Sequence, residues 1–390
     1  MPPHRSSGAA APADEAAERG VLRALLDIPT APFREEAVVD WIQRWAAERG
    51  WPARRDGAGN LRIEGPPPRP ARRRAARRWV YVAHMDHPGF VAVSQRGRRL
   101  TAQFRGGVDD AYFPGARARF FAPAGEIAAV VRAIGPDRDG PFRRCALDLP
   151  AGARVPPGAI GMWDFPGSRA RGDAVIARGC DDLAGVAAAL CALDRLARGA
   201  PPEHRVSLLL TRAEEVGFVG ALWAAKRGNL PADAFLVSIE TSKAQPAAPL
   251  GGGAVIRVGD RVSVFDAELT AHLAAVAERL SARDAALRYR RQLMPGGVCE
   301  ATAFQAHGRR AAAVCAPLGA YHNMGPRGRI APERIRWSDF RALVALLAEL
   351  PRERAAPAGT SRALRRRFDR LLRERGPFLR RPAPKTPRSA

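Results

Sequence analysis

The chain of 390 residues is poor in several residue types, and each shortage narrows the choice of protein class. It has 5 cysteines and no Cys-x-x-Cys pair, so the sequence predicts unpaired thiols and a cytoplasmic location rather than a disulfide scaffold. No run of about 18 apolar residues occurs, so we expect neither a membrane-spanning segment nor a membrane partner. Residues 1–19 lack the apolar core of a secretory signal.

Lysine is almost absent, although the formal net charge is +24. Lys226, Lys243 and Lys385 are the only lysines, and arginine supplies the remaining positive charge along the whole chain. The densest arginine runs, 69–78 and 362–381, contain few aromatic side chains that could stack on bases. Weak binding to polyanions fits this composition, but we expect no specific nucleic-acid partner.

The order of apolar patterns predicts an α/β fold, a three-layer sandwich with a mainly parallel sheet. Short apolar strands alternate with helical patterns, except between residues 89 and 174, where short β-type runs are separated by Gly and Pro. That region is predicted to be an inserted β-barrel-like domain. Residues 17–88 and 175–350 then form the main domain, flanked by an expected disordered tail (1–16) and a basic, largely disordered tail (351–390), in which residues 361–374 could form a basic helix.

Two adjacent carboxylates stand where an Ala-rich helix is predicted to begin. Asp181 and Asp182 precede Leu183, Val186 and Leu190, which recur at helical spacing. One Asp would cap the helix, but the second adds like-charge repulsion unless a positive group lies nearby. A divalent metal ion would supply that charge, and a plain helix cap is the alternative.

Further candidate metal ligands follow predicted buried strands. His84, the Glu214–Glu215 pair, Glu240 and His322 each come at the end of such a strand or a few residues later. Taken singly, each has an ordinary structural or solvent-exposed interpretation. In open α/β sheets, however, sites form at the carboxyl ends of the strands. The shared position therefore predicts that these side chains converge.

The mixture of residue types favours a site for two metal ions. Zinc-like ions bind imidazole nitrogen and carboxylate oxygen, and two ions about 3.5–4 Å apart need a shared ligand. A carboxylate that stays free of metal can take a proton from a bridging water. The predicted ligands are His84 and Glu240 on one ion and Glu215 and His322 on the other, with Asp181 bound to both. Glu214 is the predicted general base. Asp86 is the predicted acceptor that orients the His84 ring.

These residues resemble the co-catalytic di-zinc aminopeptidases that form tetrahedral dodecamers, a group that includes glutamyl and deblocking aminopeptidases and endoglucanase-like proteins. Residues 84–90 resemble the group's His-Met-Asp-Glu-x-Gly-Phe motif, and residues 181–185 its Asp-Asp-Arg-x-Gly motif. Residues 214–221 match Glu-Glu-Val-Gly-x-x-Gly-Ala closely. A β-domain inserted between the first ligand and the bridging Asp is also this group's arrangement.

The chain departs from the group's motifs at several positions. His87 replaces a Glu, Leu183 replaces an Arg, and Glu240 stands where the group usually has Asp. The stretch 296–300, Gly-Gly-Val-Cys-Glu, replaces Gly-Gly-Thr-Asp. Since an imidazole next to this motif could contact substrate or metal, His87 has a functional interpretation, but we expect an exposed loop residue.

The expected function is a metal-dependent hydrolase that cleaves peptide bonds, as an aminopeptidase with Glu214 as general base. The expected cofactors are two divalent metal ions per subunit, zinc first, with cobalt or manganese as alternatives. The expected partners are a peptide or small amide substrate and, from the resemblance, further copies of the chain in a homo-oligomer. One alternative is a deacylase or carboxypeptidase-like amidohydrolase, and in the carboxypeptidase-like case Arg261 and Arg291 could bind a substrate carboxylate. A second is a non-catalytic paralogue. A third is nucleic-acid binding through residues 352–390.

Overall fold

The computed structural model describes residues 12–72, 76–138, 140–228, 230–354 and 357–377. The helices are α1 Pro12–Leu26, α2 Glu36–Ala47, α3 Leu183–Arg198, α4 Val219–Arg227, α5 Ala267–Arg283, α6 Glu300–Gln305, α7 Trp337–Glu349 and α8 Pro357–Arg375. The strands of the first half are β1 Ala53–Arg55, β2 Leu61–Glu64, β3 Arg78–His84, β4 Gly89–Arg96, β5 Arg99–Arg105, β6 Arg117–Ala122, β7 Gly125–Pro136, β8 Arg143–Asp148 and β9 Ile160–Trp163. Those of the second half are β10 Arg169–Arg171, β11 Ala174–Ala177, β12 Arg205–Thr211, β13 Phe235–Lys243, β14 Ala254–Gly259, β15 Tyr289–Leu293, β16 Arg310–Leu318 and β17 Glu333–Arg336.

An eight-stranded sheet in the order β1-β2-β12-β3-β13-β16-β14-β15 forms the centre of the main domain. The four strands β12, β3, β13 and β16 run parallel. The sequence predicted a mainly parallel sheet, whereas β1, β2 and the β14–β16 pairing are antiparallel, so the sheet is mixed. The parallel strands are nearly all buried because helices cover them.

Two groups of helices pack against this sheet. Helix α3 packs on β3 and β13 and also contacts α1 and α7, while α6 packs on β13 and β16 and contacts α4. Twelve of the 16 residues of α3 are buried, which explains its Ala-rich sequence: small side chains allow close approach on several sides. The predicted helix start is correct, since α3 begins at Leu183 directly after the two Asp residues.

Strands β4 to β9 close into a separate six-stranded barrel, in the order β4-β5-β8-β7-β6-β9. In β5, buried residues alternate with half-buried or exposed ones. Aromatic rings fill the interior, with Phe104 and Phe113 edge to face at 4.7 Å between centroids and Phe90 and Trp163 at 5.0 Å. The barrel is the inserted β-domain, whereas the strands that follow it form a separate three-stranded sheet in the order β10-β11-β17.

The ends of the chain differ from the expected disordered tails. Residues 12–16 already belong to α1, and residues 1–11 lie outside the described residues. At the other end, 357–375 form the arginine-rich helix α8, which contacts α5, and residues 378–390 lie outside the described part. Within the described residues, no helix is both long enough and apolar enough to cross a membrane.

Candidate active site

The predicted site residues lie at one edge of the central sheet, where parallel strands end. His84 is the last residue of β3, directly beside Thr211, the last residue of β12. Glu214 and Glu215 follow β12 in the next turn, and Glu240 lies in the second half of β13. Because these neighbouring strands run in the same direction, their carboxyl ends bring the side chains together.

Their donor atoms form two groups that share Asp181. The ligand atoms of His84, Asp181 and Glu240 lie within 4.8 Å of one another, and so do those of Asp181, Glu215 and His322. We call these the first and the second cation group. A further combination, His84 with Glu214 and Glu215, also lies within 4.8 Å. The structure therefore brings all five predicted ligands and Glu214 together.

Asp181 directs its two carboxylate oxygens to opposite sides of the site. Oδ1 lies 3.6 Å from Nε2 of His84, and Oδ2 lies 3.7 Å from Nε2 of His322. The Thr241 hydroxyl donates to Oδ1 at 3.0 Å, which fixes the rotation of the carboxylate. An aspartate held in this way can contribute one oxygen to each of two cations.

Both imidazoles are oriented by backbone carbonyls. Nδ1 of His84 lies 3.1 Å from the Asp86 carbonyl oxygen, and Nδ1 of His322 lies 2.6 Å from that of Gly107 in the barrel. A carbonyl oxygen only accepts, so each Nδ1 carries a proton, and each Nε2 faces the carboxylates, where it would bind a cation in place of a proton. The Asp86 carboxylate, predicted to orient His84, lies 3.5 Å from the same Nδ1.

The site holds more negative than positive charge in its own side chains. Burial raises the pKa of Glu214 well above its ordinary range, and Glu240 and Glu215 add to the shift against the effect of His84. Burial likewise raises the pKa of Glu240 to about 7. Burial alone would lower the pKa of His322, but the carboxylates of Glu215 and Asp181 raise it to about 9.

This donor set fits divalent cations. Imidazole nitrogens and carboxylate oxygens are the ligands that zinc takes, and cations would offset the repulsion among the buried carboxylates. Oε1 of Glu215 is buried and has no hydrogen-bond partner among the described residues, which leaves it free for a ligand. The residues present therefore fit a pair of metal ions.

Two cavities open at the site. The inner cavity lies over both cation groups and is also lined by Lys243, Arg257, Met294 and Tyr321. The outer cleft continues from it to the barrel, where it is lined by Gly107 and other residues of the same loop, by Arg143 and by Arg261. A substrate would therefore contact both domains.

The sequence-based expectation for His87 was wrong. We expected an exposed loop residue, but its side chain is fully buried against the site. Nδ1 lies 2.6 Å from the carbonyl oxygen of Asp181, and Nε2 lies 3.1 Å from Oδ1 of Asn323. The helix-cap alternative for the Asp pair also fails, since Asp182 occupies the N-cap position of α3 but its side chain makes no capping hydrogen bond.

Three residues that hold predicted ligands were not predicted from the sequence: Thr241, Gly107 and Glu333. Glu333 is completely buried and accepts hydrogen bonds from the backbone of Asp181 and His322. None of the three lies in a motif with metal-ligand spacing. Only the fact that Thr241 directly follows Glu240 could have drawn attention to it.

Several solved structures have a similar fold. An aminopeptidase from the archaeon Desulfurococcus kamchatkensis is 19% identical and aligns over 89% of this chain and 97% of its own, with a TM-score of 0.72. The TET1 peptidase of Pyrococcus horikoshii is 23% identical over 86% of this chain and 99% of its own, at a TM-score of 0.67. An endoglucanase of Thermotoga maritima is 19% identical and aligns over 85% of this chain and 96% of its own, with a TM-score of 0.60. No curated protein matches the chain.

Fold and site together define a metallo-aminopeptidase-like hydrolase. The sequence match agrees: residues 150–333 match the model of the M42 glutamyl aminopeptidase family, and this segment contains Asp181, Glu214, Glu215, Glu240 and His322. The predicted relationship to the co-catalytic aminopeptidases and their endoglucanase-like relatives is confirmed.

Proposed function

We propose that the protein is an aminopeptidase that binds two divalent metal ions, zinc by preference, through His84, Asp181, Glu215, Glu240 and His322. The observation that carries the proposal is the position of Asp181, whose two oxygens face the two imidazoles. The two cation groups share this aspartate and no other residue. Bound cations would polarise a peptide carbonyl and lower the pKa of water.

Glu214 is the proposed general base. Its Oε2 lies 3.8 Å from Nε2 of His84, so the carboxylate borders the first cation group without belonging to it or to the second. Its backbone is fixed, because the N–H groups of Glu214 and Glu215 donate to the two oxygens of Asp86 at 3.0 and 3.1 Å. Glu214 can therefore take a proton from water and pass it to the leaving amine.

The cavity walls favour cleavage next to a free N-terminus. Glu214 lines the inner cavity beside the proposed ligands Glu215 and Glu240, so a terminal amine placed there would lie next to both the general base and the cations. The pair of arginines that the carboxypeptidase-like alternative needs is not assembled: Arg261 lines the outer cleft, whereas Arg291 lies on β15 and lines neither cavity. Arg143 does line the outer cleft, but it is occupied by the carbonyls of Gly106 and Val108.

The inner cavity also indicates a substrate preference. Lys243 and Arg257 line it, and they are its only Lys and Arg side chains among the described residues. Arg257 is buried, and among the described residues its guanidinium donates one hydrogen bond, from Nη1 to the Ser242 hydroxyl at 3.2 Å. We therefore propose that the first residue of the substrate is acidic, because its carboxylate would pair with these cations.

We further propose a homo-oligomer in the cytoplasm. The structure of a related peptidase is described as a dodecamer, and the Pyrococcus horikoshii peptidase as a tetrahedron or an octahedral shell. On this chain Val262 and Val264 are 67% and 76% exposed, and Leu293 nearby is 40% exposed, which provides an apolar surface for assembly. All five cysteines are buried free thiols, which suits a reducing compartment. Light scattering after size exclusion would test the assembly.

The decisive experiment is hydrolysis of short peptides by protein reconstituted with zinc. The panel holds free, N-acetylated and C-amidated forms of one sequence, with Glu214→Gln as the matched variant. We expect cleavage of the free and C-amidated peptides, with kcat about 10²–10⁴-fold lower in the variant at unchanged metal content. Preference for the N-acetylated peptide would instead favour a deacylase. No turnover with two metals bound would favour a non-catalytic paralogue.

A further inference from the structure

One buried carboxylate joins two loops of the site. Glu333, the first residue of β17, is completely buried. Its Oε2 accepts the backbone N–H groups of Cys180 at 2.6 Å and Asp181 at 3.0 Å, while Oε1 accepts that of His322 at 2.8 Å. Asp181 and His322 are far apart in the sequence, yet their backbones bind to opposite oxygens of one side chain.

A second connection joins the same two loops from the other side. His87 lies between the Asp181 carbonyl, 2.6 Å from Nδ1, and Oδ1 of Asn323, 3.1 Å from Nε2. The Asn323 amide is fixed in this orientation because its Nδ2 donates to the carbonyls of Arg178 at 2.7 Å and Ala331 at 3.1 Å. Each ring nitrogen of His87 therefore faces an acceptor.

These contacts hold a backbone that does not adopt this shape readily. His322 and Asn323 have φ angles of 53° and 61°, in the left-handed region that side-chain-bearing residues rarely occupy. The His322 N–H is bound by Glu333, and the Asn323 side chain is bound on three sides. Surrounding contacts of this kind are what maintain such a conformation at functional sites.

We infer that Glu333, His87 and Asn323 act together as a positioning clamp, which joins the Asp181 loop to the His322 loop and thereby assembles the second cation group. The inference rests on the proposed two-metal site. The second group depends on the clamp more than the first does, because the first takes His84 and Glu240 from strands β3 and β13 of the rigid sheet. The clamp residues contact ligands rather than substrate, so their role is positioning.

Glu333→Gln tests the clamp with a minimal change in size. A glutamine keeps one acceptor oxygen, but its NH₂ group must then face a backbone N–H that it cannot bind. We expect the affinity for one of two zinc equivalents to fall about 10–100-fold, as for other residues that orient metal ligands. The other equivalent, bound by the first cation group, should weaken less, because Asp181 is the one ligand of that group whose backbone Glu333 binds. Zinc titration against a chromophoric chelator measures both constants independently of activity.

Asp339→Asn is the matched control. Asp339 is also a completely buried carboxylate that accepts two backbone N–H groups, those of Gly251 at 2.8 Å and Gly253 at 2.7 Å, but neither lies in a ligand loop. We expect Asp339→Asn to lower thermal stability without weakening either zinc equivalent. If both variants lose thermal stability alike and both still bind two zinc ions as tightly as the wild type, Glu333 is only structural and the inference is wrong.

His87→Ala provides a second variant in case Glu333→Gln does not fold. It removes the bridge from the Asp181 carbonyl to Asn323 and leaves the Glu333 contacts, so we expect a weaker loss at the same single equivalent. Unchanged zinc binding in His87→Ala would overturn the role of His87. A wild-type chain that binds fewer than two zinc ions would instead contradict the proposed site itself, which separates the two failures.

Discussion

The Asp86 carboxylate accepts the backbone N–H of Glu214 at 3.0 Å. Asp86 follows β3 and Glu214 follows β12, so a contact between two neighbouring loops fixes the backbone of the proposed general base. The second oxygen of Asp86 accepts the N–H of Glu215 at 3.1 Å. Asp86→Asn leaves one of these buried donors without an acceptor, which costs about 1–3 kcal/mol and displaces the Glu214 loop. We expect kcat to fall at least tenfold. Asp339→Asn, which alters another buried carboxylate that accepts two backbone N–H groups but lies outside both cavities, should leave kcat unchanged, and equal losses would refute the positional role of Asp86.

Removal of metal should destabilise the protein, because the carboxylates of both cation groups then repel one another without a counter-charge. At free zinc about 100-fold above Kd, binding adds about 2.7 kcal/mol to the free energy of unfolding. Thermal melting with EDTA and with zinc measures the difference. Asp181→Asn should remove most of the zinc-dependent gain, since it alters the one ligand that both groups share. An equal gain in this variant would contradict a bridging role.

The proposed acidic preference predicts an effect of Lys243 that depends on the substrate. Lys243→Gln should lower kcat/KM for peptides that begin with Glu by up to about fivefold, since an exposed ion pair contributes up to about 1 kcal/mol. Peptides that begin with Leu should be cleaved as before. Added salt should reduce the difference between the two substrates in the wild type. Equal effects on both substrates would show that Lys243 does not contact the first side chain.

The buried His272 predicts a loss of stability in acid. Burial lowers the pKa of His272 to about 4, with Arg279 and His204 acting in the same direction and Glu353 against it. Between pH 6.5 and 4 the unfolded chain binds a proton that the folded chain does not, so the free energy of unfolding falls as pH falls. The loss reaches about 3 kcal/mol at the lower end of this range.

His272→Phe should remove this part of the pH dependence, because phenylalanine can keep the stacking on Trp79, whose ring centroid lies 5.8 Å from that of His272. Thermal melting of both proteins at pH 7.5 and pH 5 measures the difference between their slopes. All other groups titrate equally in the two proteins, so their contributions cancel in the difference between the slopes. If the stability of both proteins changes equally between pH 7.5 and pH 5, His272 is protonated in the folded state as readily as in the unfolded chain.

Much of the site could be predicted because its chemistry depends on residue type and on strand ends. Asp181, His84 and Glu240 lie beside buried apolar runs, which mark strands and helices in a single sequence. Parallel neighbours then bring the ends of those runs together. The same argument was weaker for the outer strands, because nothing in the runs themselves showed that β14 pairs antiparallel with β16.

The supporting residues could not be predicted because each acts through a contact between distant segments. Glu333 looks like an ordinary strand glutamate until its carboxylate is seen on the backbones of Asp181 and His322. His87 looks like a loop residue, since its burial depends on Asn323 from the far end of the domain. The helix at 357–375 is longer than the basic helix expected at 361–374, because an arginine-rich segment gives no clear apolar pattern that marks its ends.

The hydrogen bond from Nδ1 of His322 to the Gly107 carbonyl makes the proposed site depend on the inserted barrel. Gly107 follows the second strand of the barrel, so a variant that lost the insertion would keep all five proposed ligands and still lose the acceptor that sets one imidazole. Neither domain can be exchanged for a foreign counterpart without redesign of this contact. A chain that lost or exchanged the insertion would therefore need another acceptor to orient the His322 ring.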